Sequence, residues 1–266
     1  MLFSHAIQTP PKEVVDPFWA ETINLMRFDN NFNTEAGTLT TVTNTSTTFS
    51  TTSPKFGTHS LDFGNNNQWV KIAPNDNNYF KFGTGDFTIE FHVNFYGTQP
   101  TANKGNFALL SLNGYQNVDS VTVSPNWSFY GWNTTNPGWA ISWYNGDIDP
   151  GPVVTVYTHP RRVTHNTWTH IAFSRTSGRL YISVNGSVYD AGSYTKALDF
   201  TGGFDSTRGG TMLGNNGYNE YNRLTAAPAT GTGYFRMDDL RITKGIGRYR
   251  ANFQPPEKQF PTPTQP

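Results

Sequence analysis

The sequence predicts an all-β fold, a sandwich of two antiparallel sheets. Three observations carry this. First, Phe87-Thr-Ile-Glu-Phe-His-Val-Asn-Phe95 alternates apolar and polar residues without a break. That period of two marks a strand with one buried face and one face toward water. Second, no long stretch repeats at the helical period, and Trp19 to Met26 offers at most one or two turns. Third, aromatics make up 15% of the chain, with 20 Phe, 13 Tyr and 7 Trp, while Asn, Thr, Gly and Ser fill most of the rest. Bulky residues suit sheet faces and small polar ones suit turns. A sandwich of 266 residues fits one domain.

Taken in order, Met1 to Val15 contains Pro10-Pro11, which blocks helix and ladder alike, and reads as an extended arm over residues 1–15. The domain proper runs over 16–261. Trp139, Ile141 and Trp143 share one parity and end at Asn145-Gly146, which predicts a strand entering a hairpin turn. Their parity assigns Trp139 and Trp143 to the core. Leu180, Ile182 and Val184 repeat the pattern and meet Asn185-Gly186 before Val188 and Tyr189, a second type I′ signal. In Tyr234 to Ile242, Phe235 and Met237 hold one parity, and Leu240 and Ile242 the other. The switch falls at Asp238-Asp239, which predicts a β-bulge there. Residues 262–266 end the chain as a Pro-rich tail. The longer stretch Gln254 to Pro266 reads as a stiff docking element that loses little entropy on binding.

Charged residues are 14% and the net charge is +0. A nucleic-acid surface needs a basic excess, so none is expected. No apolar run is long enough to span a bilayer, and no membrane partner is expected. Cysteine is absent, which excludes disulfides and thiolate metal sites. Met1 to Pro11 has no basic n-region and no apolar core of signal-peptide length.

Several motifs carry a family resemblance: Asp16-Pro-Phe-Trp19, Leu25-Met-Arg-Phe-Asp29, Phe56-Gly-Thr-His-Ser-Leu-Asp-Phe63, Phe82 to Val93, Trp168 to Arg175, Leu180 to Gly186 and the closing stretch Met237 to Pro256. In this order they resemble the laminin G-like, concanavalin A-like jelly-roll domains of phage structural proteins. The resemblance implies a jelly-roll sandwich and a non-enzymatic virion subunit, either a capsid decoration or a tail-fibre part. It implies a virion location, other virion proteins and a homo-oligomer as partners, and host surface polysaccharide as a ligand. A carbohydrate-binding adhesin is the alternative, and a glycoside hydrolase a further one.

Jelly-roll relatives often hold calcium where an early Phe-Asp strand meets the closing Asp-Asp strand. Here that implies a structural calcium at Asp29 with Asp238 or Asp239; no other cofactor is required. The other reading is that Asp29 caps a turn and the Asp pair meets Arg236 or Arg241. Aromatics beside amides suit sugar rings, whose C–H faces stack and whose hydroxyls need polar partners. Trp127, Tyr130 and Trp132 beside Asn126, Asn133 and Asn136, and Tyr218 and Tyr221 in an Asn-rich loop, are the candidate glycan platform. They are read as loop residues; packing under loops or against another subunit is the competing reading. Glycosidases need two acids, ~5–5.5 Å apart for retention or ~6.5–9.5 Å for inversion. Laminarinase-like enzymes of this superfamily carry them as E-x-D-x-x-E, and the matching strand here has only Glu90 and His92 on its polar face. No catalytic residue is assigned. His159, His165 and His170 read as surface or hydrogen-bonded histidines.

Overall fold

The computed structural model describes residues 15–37, 39–64, 68–74, 80–96, 106–112, 116–118, 121–123, 126–133, 139–147, 153–199, 211–214 and 234–263. Among them the helical content is one 3-10 turn, Trp19–Glu21. The strands run β1 (Thr22–Met26), β2 (Leu39–Thr45), β3 (Thr48–Ser50), β4 (Ser60–Phe63), β5 (Trp69–Pro74), β6 (Lys81–Gly83), β7 (Phe87–Tyr96), β8 (Asn106–Leu112), β9 (Gln116–Val118) and β10 (Val121–Val123). They continue as β11 (Asn126–Asn133), β12 (Trp139–Asp147), β13 (Val153–Thr158), β14 (Thr169–Thr176), β15 (Arg179–Val184), β16 (Ser187–Ser193), β17 (Leu198–Asp199), β18 (Thr211–Leu213) and β19 (Tyr234–Lys244).

Two large antiparallel sheets form. The eight-stranded sheet follows the order β16-β15-β14-β7-β19-β4-β3, with β1 also paired to β19. The seven-stranded sheet follows β13-β12-β11-β8-β18-β5-β2. Neighbours distant in sequence, such as β7 beside β19, are what a jelly roll requires. Between the sheets lie Phe87, Ile89, Phe91, Val93 and Phe95 of β7 with Phe173, Ile182, Phe235 and Ile242, against Val70, Ile72, Leu110 and Leu213 of the facing sheet. Phe63 stacks on Phe235 with ring centroids 4.5 Å apart. Each fully buried Phe, Leu or Ile contributes about 1.5–3 kcal/mol of transfer free energy, so β7 and β19 form the energetic centre.

The expected bulge is present. The β19–β7 register shifts between Asp238 and Arg241, and Asp239 sits at φ 52°. Phe235, Met237, Leu240 and Ile242 are therefore all buried despite their change of parity. The Asn185-Gly186 hairpin is also present, with φ of 47° and 71°, joining β15 to β16.

Two expectations are corrected. Asn145-Gly146 does not turn; it continues β12, pairing with Trp127 and Asn126 of β11 on one side and Thr155 and Val154 of β13 on the other. Ladders on both sides outweigh a local turn preference. And the polar face of β7 does not meet water: Thr88, Glu90, His92 and Asn94 are as buried as the apolar face. The cover is the segment after β19. Phe260 and Thr262 are buried, and Tyr249 and Phe253 stack at 3.8 Å over His170 of β14. The stretch expected to be a free docking element thus lies, as far as Thr262, on the chain's own sheet.

Gly186 shows how closely the tail fits. Its N–H···O partner is Phe253, which donates to the Gly186 carbonyl at 3.0 Å, and a Cβ on Gly186 would run into the Phe253 carbonyl. Gly186→Ala is expected to destabilise the fold by about 1–3 kcal/mol, whereas Gly192→Ala, at φ 105° with open space around it, carries the backbone cost alone. Urea unfolding midpoints of the two variants against wild type measure the difference.

Candidate functional site

The residues with the chemistry of a site collect on the covered face of the eight-stranded sheet. Glu90 projects from the middle of β7, Arg241 from β19 beside it, and His170 from β14 on the other side. Arg241 donates to Glu90 Oε1 from Nε at 2.9 Å and Nη2 at 2.8 Å, and to Asp16 Oδ2 from Nη1 at 2.8 Å. Asp16 also accepts two bonds from Arg248, each 2.9 Å. The other Glu90 oxygen accepts the Tyr249 hydroxyl at 2.7 Å and lies 3.1 Å from His170 Nε2. Phe260 lies under the Arg241 guanidinium, 3.9 Å from ring centroid. Two carboxylates and two guanidiniums therefore neutralise one another in a site closed by aromatic rings.

A second latch holds the tail. Arg27 donates to Asp239 Oδ1 at 2.8 Å, to Glu35 at 3.0 Å and to the Phe260 carbonyl at 2.6 Å. The Phe260 N–H donates to Asp239 Oδ2 at 2.8 Å. Both Asp239 oxygens are engaged.

The three carboxyls of the predicted calcium site lie near enough for Asp29 and Asp239 to act on the charge of Asp238, and each accepts hydrogen bonds from the protein. Asp29 Oδ1 accepts the N–H groups of Thr58 at 2.7 Å and His59 at 3.0 Å. Asp238 Oδ2 accepts those of Lys55 at 2.9 Å and Phe56 at 3.1 Å. The two carboxylates thus pin the loop 55–59 from either end, and Asp239 faces Arg27 instead. Among the described residues no group of three or more His, Asp or Glu is placed to hold a metal ion. Calcium asks for six to eight oxygens; of these carboxyls, Asp238 keeps Oδ1 buried with no hydrogen-bond partner, while the other oxygens named here accept protein N–H groups. Asp29 does cap a turn, but within the Asp pair it is Asp239 that forms an ion pair, with Arg27. Arg236 pairs with Asp62 at 3.0 Å, and Arg241 serves Asp16 and Glu90.

His92, His159 and His170 are buried rather than at the surface. His159 bridges the Ser187 carbonyl and the Arg161 N–H, each at 2.9 Å. His92 lies between His170, Phe56 and Phe260. Burial, helped by the nearby positive charges, pulls its imidazole far below the usual range. The Pro256 carbonyl lies beside it, but neither ring nitrogen meets a partner at hydrogen-bonding geometry.

The candidate glycan residues divide. Tyr218 and Tyr221 lie outside the described residues. Trp127, Tyr130 and Trp132 lie not in a loop but on β11, between β8 and β12. Directly paired residues share a sheet face. Trp127 pairs with Leu112, and Phe129 with core-lining Leu110 and with Trp143, so Trp127 takes a core-side register position. Tyr130 and Trp132 take the alternate positions, paired with Ser142 and Ala140, on the face opposite the core.

The buried charges set a pH dependence. Burial pushes the Asp238 carboxyl up to about 8, with Asp239 and Asp29 repelling its charge. Burial pushes Asp239 up to about 6, held back by Arg27. A carboxyl whose folded pKa is raised binds protons more tightly folded than unfolded, so stability falls as pH rises from the unfolded value toward the folded one. Glu90 is opposite: burial works to raise it, but Arg241, His170 and Arg248 together hold it far below the usual range, so its contribution is lost only in strong acid. His92 and His159, kept neutral by burial, add stability as pH rises through the ordinary histidine range and offset the carboxyls there, so unfolding free energy is expected to decline chiefly between about pH 6.5 and pH 8, and Asp238→Asn to flatten that slope, in urea titrations across this range. Arg241→Met strands Glu90 and Asp16, and its expected cost is about 3–5 kcal/mol in the same assay at constant m-value.

Residues 63–243 match the family described as Concanavalin A-like lectin/glucanases superfamily, Laminin_G_3. No curated protein matches the chain. Among solved structures, the binding domain of botulinum neurotoxin serotype D is similar in fold at 11% identity and a TM-score of 0.54, over 86% of this chain and 49% of that one. The botulinum neurotoxin DC binding domain, solved with rat synaptotagmin II, gives 14% identity and a TM-score of 0.54 over 86% of this chain and 49% of its own. This chain spans about half the length of those neurotoxin domains. Domain 4 of AbnA, a GH43 extracellular arabinanase from Geobacillus stearothermophilus solved with arabinotriose, gives 16% identity and a TM-score of 0.54 over 85% of this chain and 94% of its own. The antiparallel sandwich and the match over most of its strands make this chain a member of the concanavalin A-like lectin/glucanases superfamily, with a laminin G-like jelly roll.

Proposed function

We propose that this chain is a non-enzymatic, carbohydrate-recognising jelly roll displayed on a phage-type virion, as a capsid decoration or tail-associated subunit. The observation that carries the binding role is the division of the two sheets. The polar face of the eight-stranded sheet, where Glu90 stands, is sealed by Tyr249, Phe253 and Phe260 of the chain itself. The outward register positions of the seven-stranded sheet hold Tyr130 and Trp132. A hydrolase needs a pair of carboxyl groups open to substrate. Glu90 is neutralised by Arg241 and fully buried, which supports a binding role over catalysis. The AbnA domain, of similar fold, was solved with arabinotriose, so the fold is compatible with a sugar ligand.

The virion role is supported by the motifs that resemble phage structural domains. Asp16, Asp238, Asp239, Arg241 and Tyr249 belong to them and form the buried latch described above. Partners on this reading are other virion proteins, further copies of the chain and a host surface polysaccharide, with the location being the virion. Copies arrayed on a particle would turn weak single-site affinity into avidity.

The test is binding of fluorescently labelled protein to candidate host cells with and without competing envelope polysaccharide. Saturable binding that polysaccharide abolishes, and that Trp132→Ala removes at an unchanged unfolding midpoint, is the expected result. A folded protein that binds no host cell overturns the glycan role, and release of reducing ends from the polysaccharide overturns the non-enzymatic one.

A further inference from the structure

A set of buried polar atoms without partners gathers in one place. Both ring nitrogens of His92, Nδ1 of His170, Oδ1 of Asp238 and Oγ of Ser60 are buried and meet no hydrogen-bond partner. Register puts these residues in a single row across the eight-stranded sheet. His92 on β7 pairs with His170 on β14 and with Asp238 on β19. Ser60 continues the row onto β4, one residue before the Leu61 that pairs with Met237. Residues so paired share a sheet face, and each of the four is at most 1% exposed.

The row is roofed. Phe56 stands edge-on to the His92 ring at 5.0 Å, Phe260 lies 5.9 Å from it, and Phe253 caps His170 at 5.7 Å. Such rings exclude bulk water and offer no strong acceptor, so the polar atoms are met from within the row or stay unmet. The His92 and His170 rings, 5.1 Å apart between centroids and tilted by 58°, form no direct bond. One molecule bonded to both spans up to about 6 Å, two bonds of about 2.9 Å each, and that separation suits a bridge.

The atoms left over also ask for a donor and an acceptor in one molecule. His170 Nε2 faces Glu90 Oε2 at 3.1 Å, and Asp238 Oδ2 accepts two backbone N–H groups. Each therefore has one atom left for the row. An uncharged imidazole carries one N–H and one bare nitrogen, and burial keeps His92 in that form. Water takes from the first and gives to the second. A metal ion takes lone pairs alone, and among the described residues no three His, Asp or Glu are placed to hold one. The Pro256 carbonyl, beside His92, adds an acceptor from the tail itself.

We infer that the covered face binds a short file of water molecules along Asp238, His92 and His170, sealed beneath Phe56 and Phe260, so that the tail closes over a hydrated seam. Dry, each of these atoms carries the full penalty of its lost hydration. The file offsets that penalty and lets the polar face of β7 lie inside the protein.

The full chain is crystallised to high resolution twice, once with EDTA and once with calcium and zinc chloride. The expected result in both is density for water about 2.7–3.2 Å from His92 and from His170 Nδ1 or Asp238 Oδ1. A row with no density between these atoms overturns the inference. Density about 2.0–2.6 Å from them, present with the chlorides and lost with EDTA, assigns the row to a metal ion and overturns it as well. Urea unfolding gives a second readout whose sign separates the two states of the row. With water bridged through His92, His92→Leu is expected to lower the folded-to-unfolded ratio by roughly five- to thirtyfold, and His92→Gln, which keeps a donor and an acceptor, to lower it less. In a dry row His92→Leu replaces unmet polar atoms by an apolar group and raises the midpoint, and that result overturns the inference. If His92→Leu does not fold, the crystals decide.

Discussion

Arg241 is the residue on which the covered face depends. It bridges Asp16, 225 positions earlier, and Glu90, 151 positions earlier. All three are buried. An unpaired ion in that setting costs several kcal/mol, so each group is tolerable only because the others are present. Arg248 adds the second positive charge against Asp16, and Tyr249 spends its hydroxyl on Glu90. Once these bonds form, the chain beyond β19 must turn back across the sheet, and the polar side of β7 is removed from water. The contacts join the two ends of the chain through the central strand pair. Closing loops of that length carries an entropic cost that the site's contacts must offset.

The bulge in β19 makes the arrangement possible. An unbroken strand would put Met237 and Leu240 on opposite faces. The extra residue keeps both in the core and leaves two adjacent carboxyls to do different tasks. Asp238 takes the N–H groups of the 55–56 turn, and Asp239 receives Arg27 and the Phe260 N–H. The cost appears in their protonation: burial raises both carboxyls, and Asp238 keeps one oxygen buried without a partner. The bulge thus trades carboxylate solvation for the closure of a loop and a tail.

What was legible in the sequence followed local rules. The alternation of Phe87 to Phe95, the Asn185-Gly186 turn and the parity switch at Asp238-Asp239 each state a backbone event within a few residues. What was not legible came from elsewhere in the chain. The polar half of β7 looks solvent-facing because its cover, Tyr249, Phe253 and Phe260, comes from an irregular segment with no strand or helix period. Asn145-Gly146 has the composition of a turn, but strands on both sides hold it straight. The same ladders put Trp127, Tyr130 and Trp132 on a strand although Asn and Pro surround them. One signal for the buried network was present: Glu90, His92, Asp238 and Arg241 sit in the middle of strands whose neighbours are apolar, and charges in such positions need partners.

The network also shows why shifted protonation does not by itself identify catalysis. Asp238 holds its proton into the neutral range, Asp239 is raised to about 6, and Glu90 is held ionised. A raised acid beside an ionised one is the pattern of a general acid and its partner. Here the same pattern arises from burial and ion pairing in a packed interface, because Asp239 is engaged at both oxygens and Glu90 lies beneath Arg241, Tyr249 and His170. Perturbation reports a low dielectric and fixed charges; access decides whether a substrate can use them. In this jelly roll the charged sheet uses its chemistry to close on itself.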